Sequence, residues 1–244
     1  MTTFRPVVLK CPQCGTLMSD YEMMSYTVHQ ATAWSDGKND TGVPDVQQIK
    51  ICAVCRLPFW KAEETLPYDP DWDVADELGG ALDIRDLLEP FDDGWQEFKI
   101  QYYNRLIDKD FAGNDDQEAY LRTQLWWAVN DLIRYHTGFR KPQSFHHFIH
   151  QIKHYKKRRQ ESNKRRKLFD SYAQLFPKNL DRLIFLYIKK GDVDLIYLTD
   201  MYREKGDFKK AYKILMKFEG EKGTVYREMK RKIRRKISKV FQLK

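Results

Sequence analysis

The sequence predicts a mainly α protein with a small metal-held β domain at its N-terminus. Three observations carry this. All 4 cysteines of the 244 residues fall in two C-x-x-C pairs before residue 56. From about residue 95 onward, apolar residues recur at the 3–4 spacing of helices. Turn residues then interrupt that pattern at short intervals, as in a helical bundle or a short α-solenoid. The length suits one or two domains, with a small third possible.

The N-terminal domain is read over residues 1–62. Val7-Val8-Leu9 leads into Cys11-Pro-Gln-Cys14, and Gly15 supplies the left-handed conformation that such a turn needs. Met24 to Trp34 is rich in β-formers, and Ser35-Asp36-Gly37-Lys38 carries a turn signal. Val46 to Ile51 alternates loosely and delivers the chain to Cys52-Ala-Val-Cys55, while Phe59-Trp60 offers apolar cover. Each C-x-x-C aims two thiolates at one point, so two of them complete a tetrahedral sulfur site, the geometry zinc prefers. Cys11, Cys14, Cys52 and Cys55 are the expected ligands. This segment resembles the zinc-ribbon and rubredoxin-like knuckle domains, in which C-P-x-C-G is a common first half. The resemblance implies a structural Zn2+, because four thiolates leave no position for water or substrate. Redox iron on the same ligands is the alternative, but no electron-transfer partner motif accompanies it. The fold class is therefore mainly α with a small N-terminal β zinc ribbon and a helical body.

Residues 63–94 read as an acidic, Pro/Gly-rich linker with one short helix near Ala81–Leu88. Residues 95–167 read as helices. Trp95, Phe98, Tyr102 and Leu106 recur at that spacing, as do Tyr103 and Ile107, and Leu121, Leu125, Ala128 and Leu132, widened by Val129 and Ile133, form a second stripe. One of Trp126 and Trp127 is expected in the core. A third helix starts at the cap Ser144 and buries Phe145, Phe148, Ile149 and Ile152. It also carries His146, His150 and His154 at i, i+4, i+8. Imidazoles one turn apart can share a metal, but the polar flank of an amphipathic helix is the plainer reading.

Residues 168–244 contain an echo. Leu186-Tyr187-Ile188-Lys189-Lys190-Gly191-Asp192 recurs as Met201-Tyr202-Arg203-Glu204-Lys205-Gly206-Asp207. Each Gly-Asp ends one helix and caps the next. Leu195, Leu198, Tyr202, Gly206, Phe208, Ala211 and Leu215 resemble the packing positions of one tetratricopeptide repeat over about 190–218, with Thr199 at a position usually small. The resemblance implies a helical hairpin suited to protein contact. A last helix is expected from Thr224 to Phe241, with Val225, Met229, Ile233, Ile237 and Phe241 on its apolar side.

Charge is strongly uneven. Residues 61–100 carry 13 acidic and 3 basic side chains, whereas residues 141–244 carry 30 basic and 11 acidic. The basic residues cluster at 153–167 and 230–239. Such density binds phosphate chains by releasing counterions, and Lys156, Lys157, Arg158, Arg159, Arg165, Arg166, Arg231, Arg234 and Arg235 are the expected nucleic-acid contacts. A solvated face, a contact with the acidic belt and an anionic membrane surface are the other readings.

No nucleotide-binding glycine loop, serine-hydrolase elbow or H-E-x-x-H is present, and no nucleophile, base and orienter can be named together. The expectation is a non-enzymatic zinc-binding adaptor or regulatory protein that contacts RNA or DNA. The alternatives are a protein–protein scaffold and an enzyme with an unidentified site between ribbon and helices. With no apolar run of about 18 residues and no signal-type start, a cytoplasmic protein is expected.

Overall fold

The computed structural model describes residues 3–25, 32–40, 47–66, 78–87, 94–134, 155–191 and 194–243. The fold is mainly α, with small antiparallel strand pairs near the N-terminus. The chain divides into two compact units. One is Met1–Ala31 with Asp40–Trp95, and the other is Thr32–Asn39 with Gln96–Lys244.

In the first unit, β1 (Thr3–Lys10) and β2 (Leu17–Ser25) pair antiparallel across the first cysteine turn, from Lys10↔Leu17 out to Phe4↔Met23. The strands β5 (Ile49–Ile51) and β6 (Pro58–Trp60) pair across the second. Part of the expected linker ties these pairs together. Ala81 donates its N–H to the Ser19 carbonyl at 2.8 Å, and Ile51 and Leu82 exchange bonds of 2.8 and 3.0 Å. Val7, Leu9 and Met18 pack with Phe59, Cys11 and Cys52 into one small core. Lys50 is nearly buried and bonds Asp20 at 2.9 Å and Asp83 at 2.7 Å. A four-residue helix, α1 (Lys61–Glu64), follows β6. The short helix expected near 81–88 is a single 3-10 turn, Ile84–Leu87. The Pro-rich stretches at 67–77 and 88–93 lie outside the described residues.

The second unit is built from α2 (Trp95–Asp108), α3 (Asp115–Arg134), α4 (Tyr155–Ser171), α5 (Leu175–Lys190), α6 (Leu195–Glu204), α7 (Phe208–Leu215) and α8 (Thr224–Arg234). The helix expected from Ser144, with its histidines, lies outside the described residues up to Tyr155. Helix α3 packs against α4 and α5, α6 against α7, and α7 against α8. The predicted α3 stripe is buried from Leu121 to Leu132, Ile133 is half-buried, and Trp126 is the core tryptophan. On α2 the expected Tyr103 and Leu106 are buried together with Ile100, whereas Trp95, Phe98 and Tyr102 are half-buried.

The α6–α7 hairpin buries Leu198, Tyr202, Ala211 and Leu215. Gly206 takes φ 90° and Asp207 caps α7 by accepting from Lys210 N at 3.0 Å. At the earlier junction Gly191 is left-handed as expected (φ 82°). The cap of α6 is Asp194, which accepts from Ile196 N at 2.7 Å.

Helix α8 is shorter than predicted and ends at Arg234. Lys236 turns left-handed (φ 52°). Its N–H bonds Ile233 O at 3.0 Å, and Ile237 N–H bonds Lys232 O at 3.0 Å. These two bonds form a Schellman stop. Phe241 is buried, but on a returning tail, where the Arg203 guanidinium stacks 5.0 Å from its ring centroid. That tail pairs with the segment between the cysteine turns, through Ser35 N–H to Phe241 O at 2.9 Å and Leu243 N–H to Ala33 O at 2.8 Å.

That segment is β3 (Thr32–Ala33), a turn, and β4 (Asn39–Asp40). At the turn, Gly37 has φ 77°, and a Cβ there would lie 2.6 Å from Cε2 of Tyr197. Asp36 is fully buried. It accepts from Arg134 Nη1 at 2.8 Å, from the other Arg134 Nη, and from Asn130 Nδ2 at 2.8 Å. Trp127 Nε1 donates to the Asp36 carbonyl at 2.9 Å. Arg134 also bonds Asp131, which takes Lys38 Nζ at 2.8 Å. A second buried arginine, Arg203, bonds Asp200 at 2.7 Å, Glu204 at 3.1 Å, and the carbonyls of Ile237 at 2.7 Å and Lys239 at 2.9 Å.

Burial holds the Glu204 carboxyl well above its ordinary range, with the Asp200 carboxylate adding to the shift and Arg203 opposing it. Burial raises the Asp200 carboxyl as well, and the Arg203 guanidinium opposes that shift. A carboxyl raised on folding contributes fully below its unfolded pKa of about 4.3 and loses that contribution as pH rises through the folded value. Glu204→Gln keeps an acceptor for Trp126 Nε1, which donates to Glu204 at 2.6 Å. Urea unfolding across pH 5–9 should therefore show a weaker alkaline decline in the variant than in the wild type. Parallel curves would mean that Glu204 is ionised in the fold.

Candidate metal centre and basic helix faces

The two cysteine turns are built alike. In the first, Gly15 N–H bonds Cys11 O at 2.9 Å and Cys11 N–H bonds Thr16 O at 2.9 Å. In the second, Arg56 N–H bonds Cys52 O at 3.0 Å and Cys52 N–H bonds Leu57 O at 3.1 Å. The left-handed position is Gly15 (φ 73°) in one and Arg56 (φ 59°) in the other. Each turn curls the backbone so that both thiols of a pair face the opposite pair.

The result brings together all four predicted ligands. The sulfurs of Cys11, Cys14, Cys52 and Cys55 lie within 4.8 Å of one another. Cys11 Sγ is 3.7 Å from Cys55 Sγ, and Cys14 Sγ is 3.6 Å from Cys52 Sγ. A tetrahedron with metal–sulfur arms of about 2.3 Å has edges of about 3.8 Å, so the sulfurs already stand at ligand spacing. They are free thiols, far beyond the disulfide length of about 2.05 Å. Cys11 and Cys52 are buried, Cys55 is half-buried and Cys14 is exposed.

Without a cation two of the thiols, Cys14 and Cys55, are shifted in opposite directions. The Thr16 hydroxyl and backbone lower Cys14 to about 6. The Leu57 backbone favours the Cys55 thiolate, but desolvation and the other three sulfurs outweigh it and push Cys55 up to about 12. Four thiolates at these distances repel, and a divalent ion bound between them offsets that repulsion. The donor set fits a four-coordinate structural metal, and with all four positions taken by protein no site remains for substrate.

The predicted nucleic-acid contacts fall on two helices. Lys156, Lys157 and Arg158 are in the first turn of α4, with side chains outside the described residues. Arg159 and Arg166 on the same helix are exposed and Arg165 is half-buried. Arg231 and Arg234 are exposed on α8, and Arg235 is exposed one residue beyond it. A crevice of about 370 Å³ on α8 is lined by Arg227, Lys230, Arg231, Arg234 and Arg235 alone. Arg227 and Lys230 were not singled out as contacts in the sequence, although both continue the i, i+3, i+4 spacing. Beneath this face Lys232 has its pKa lowered by burial and by the neighbouring Arg231, Arg203 and Arg235 cations.

Among the described residues, no helix is long and apolar enough to cross a membrane. Comparison with protein-family models, curated proteins and solved structures finds no match to this chain.

Cys52→Ser removes one of the four thiolates. The variant should lose its equivalent of bound metal and the order of β1–β2 and β5–β6, while the helical far-UV dichroism remains. Unchanged metal content by atomic absorption would show that these sulfurs do not hold the ion.

Proposed function

We propose that this chain is a non-enzymatic zinc-binding adaptor or regulatory protein of the cytoplasm. In this reading it contacts RNA or DNA through α4 and α8. Zinc is preferred over iron because the four-sulfur set is read here as a structural element, and zinc asks only for tetrahedral closure. The observation that carries the nucleic-acid reading is the division of α8. Tyr226, Met229 and Ile233 are buried on one side, and the crevice on the other side is lined by cations only. A folded protein gains nothing in its own core from such a face, whereas a phosphate chain releases counterions on binding it. The exposed cations of α4 extend the same chemistry.

Retention of RNA or DNA by the zinc-loaded protein in a low-salt filter-binding titration is expected. Micromolar or tighter affinity should fall steeply as salt is added. Absence of retention at low salt would end this reading.

A second reading is a protein–protein scaffold. It is favoured by Phe185 and Ile188, each 52 % exposed and one turn apart on α5, beside the tetratricopeptide-like hairpin. Affinity capture on the full chain after nuclease digestion should then recover a partner that Phe185→Ser with Ile188→Ser no longer holds. Loss of every partner on nuclease treatment would exclude it in favour of the first reading.

A further inference from the structure

The nucleic-acid reading leaves open what on the polymer is recognised, and the outer face of α8 narrows it. Arg227, Lys230, Arg231, Arg234 and Arg235 stand at i, i+3, i+4, i+7 and i+8, which is one stripe of a helix. At 1.5 Å per residue the stripe is about 12 Å long. One strand of duplex DNA presents a phosphate about every 3.4 Å along its axis, so the stripe spans three to four of them. Among the described residues the only carboxylate paired with the stripe is Glu228, 2.6 Å from Arg231.

The face is also rigidly presented. The Schellman stop fixes the C-terminal end of α8. Phe218 stacks on Tyr226 at 6.1 Å between centroids, and Lys232 sits 4.8 Å from the centroid of Phe241. Burial lowers the Lys232 pKa first, and the neighbouring Arg231, Arg203 and Arg235 cations add a repulsion that a bound anion would relieve.

What the stripe lacks is equally informative. It has no exposed aromatic side chain to stack on a base, since Tyr226 is 5 % exposed. Its apolar side is spent in the protein core, so α8 has nothing to insert into a bilayer. It presents no apolar anchor of the kind that carries a protein interface. Five cations spread over an open crevice suit a polymer of phosphates better than one free phosphate.

We propose that this stripe is a track for the phosphodiester backbone, binding nucleic acid without reading its bases. The inference rests on the nucleic-acid reading above. The test uses the zinc-loaded full chain and labelled oligonucleotides of about 20 nucleotides, a length that covers the stripe several times over. Mixed-sequence and homopolymer strands, single and double, are titrated from about 50 to 200 mM salt. With about four phosphates engaged by the stripe, affinity for duplex should fall about a hundredfold over that range, and more if α4 contributes. The triple variant Arg227→Gln, Arg231→Gln, Arg234→Gln should flatten the log–log salt slope by about 2–3 for every sequence alike. The triple Arg→Lys variant should keep the slope. Melting temperature and zinc content, unchanged in both variants, exclude a folding effect.

An unchanged slope in the glutamine variant would overturn the track while leaving the nucleic-acid reading standing. Sequence preferences of tenfold or more that vanish in the glutamine variant would overturn backbone-only recognition. If that variant loses binding only to phosphatidylserine vesicles, the stripe is a membrane contact and the proposal falls. No binding of any oligonucleotide by the wild type would remove the reading and the track together.

Discussion

Asp36 carries a carboxyl group into a fully buried place, and much of the helical unit is arranged to answer it. Arg134 meets both of its oxygens, Asn130 adds a third donor, and Trp127 takes the carbonyl of the same residue. Removing one member of such a pair leaves a buried charge uncompensated, at a cost of about 3–5 kcal/mol. Arg134 can stay ionised there because, although burial works against its charge, the Asp36 and Asp131 carboxylates more than offset it and raise its pKa. The turn that delivers Asp36 has room only for Gly37 against Tyr197. Arg203 repeats the device beside it, clasping the returning tail by two carbonyls and one ring. A short hairpin, two helices and the tail are thereby locked by directional bonds, which specify one arrangement where apolar packing alone would tolerate several.

The first unit handles charge by a different route. Its core is small, and four sulfurs converge in it at the separations of a tetrahedral shell. A divalent metal at their centre offsets half of the charge of four thiolates and binds each of them directly, which holds the four sulfurs together. The closed shell that makes this a good fold-holding site is also what removes it from consideration as a reaction centre. Both units thus place strong electrostatics inside for architecture.

That arrangement directs attention outward. The apolar side of α8 is consumed by the core, and the tail folds back over its C-terminal end. What remains is a fixed line of cations. A solvated basic helix with no anchor would sample many orientations. Here the buried side, the Schellman stop and the Lys232–Phe241 contact set one, which lowers the ordering cost of meeting a phosphate chain.

How much of this was legible in the sequence follows the range of the interactions. The cysteine turns were, because ligand type, spacing and the glycine after Cys14 are all local. So were the α3 stripe, the Gly206-Asp207 junction and the one-sided charge of α8, since helical periodicity is written within a few turns. The second left-handed residue was not, because Arg56 gives no signal that its backbone will bend like Gly15. The end of α8 was missed for a similar reason: Lys236 closes the helix by taking a conformation that its side chain does not advertise. The buried ionic network was illegible. Ser35 and Arg203 are 168 residues apart and Ser35 and Phe241 are 206 apart. In the sequence Asp36 reads as a turn residue and Arg203 only as one position of a repeated helical segment. Composition and spacing determined that this chain has four sulfurs placed to hold a metal and presents a basic helix. Only tertiary structure decided which charges go inside, because a buried charge is permitted only by partners that the local sequence does not contain.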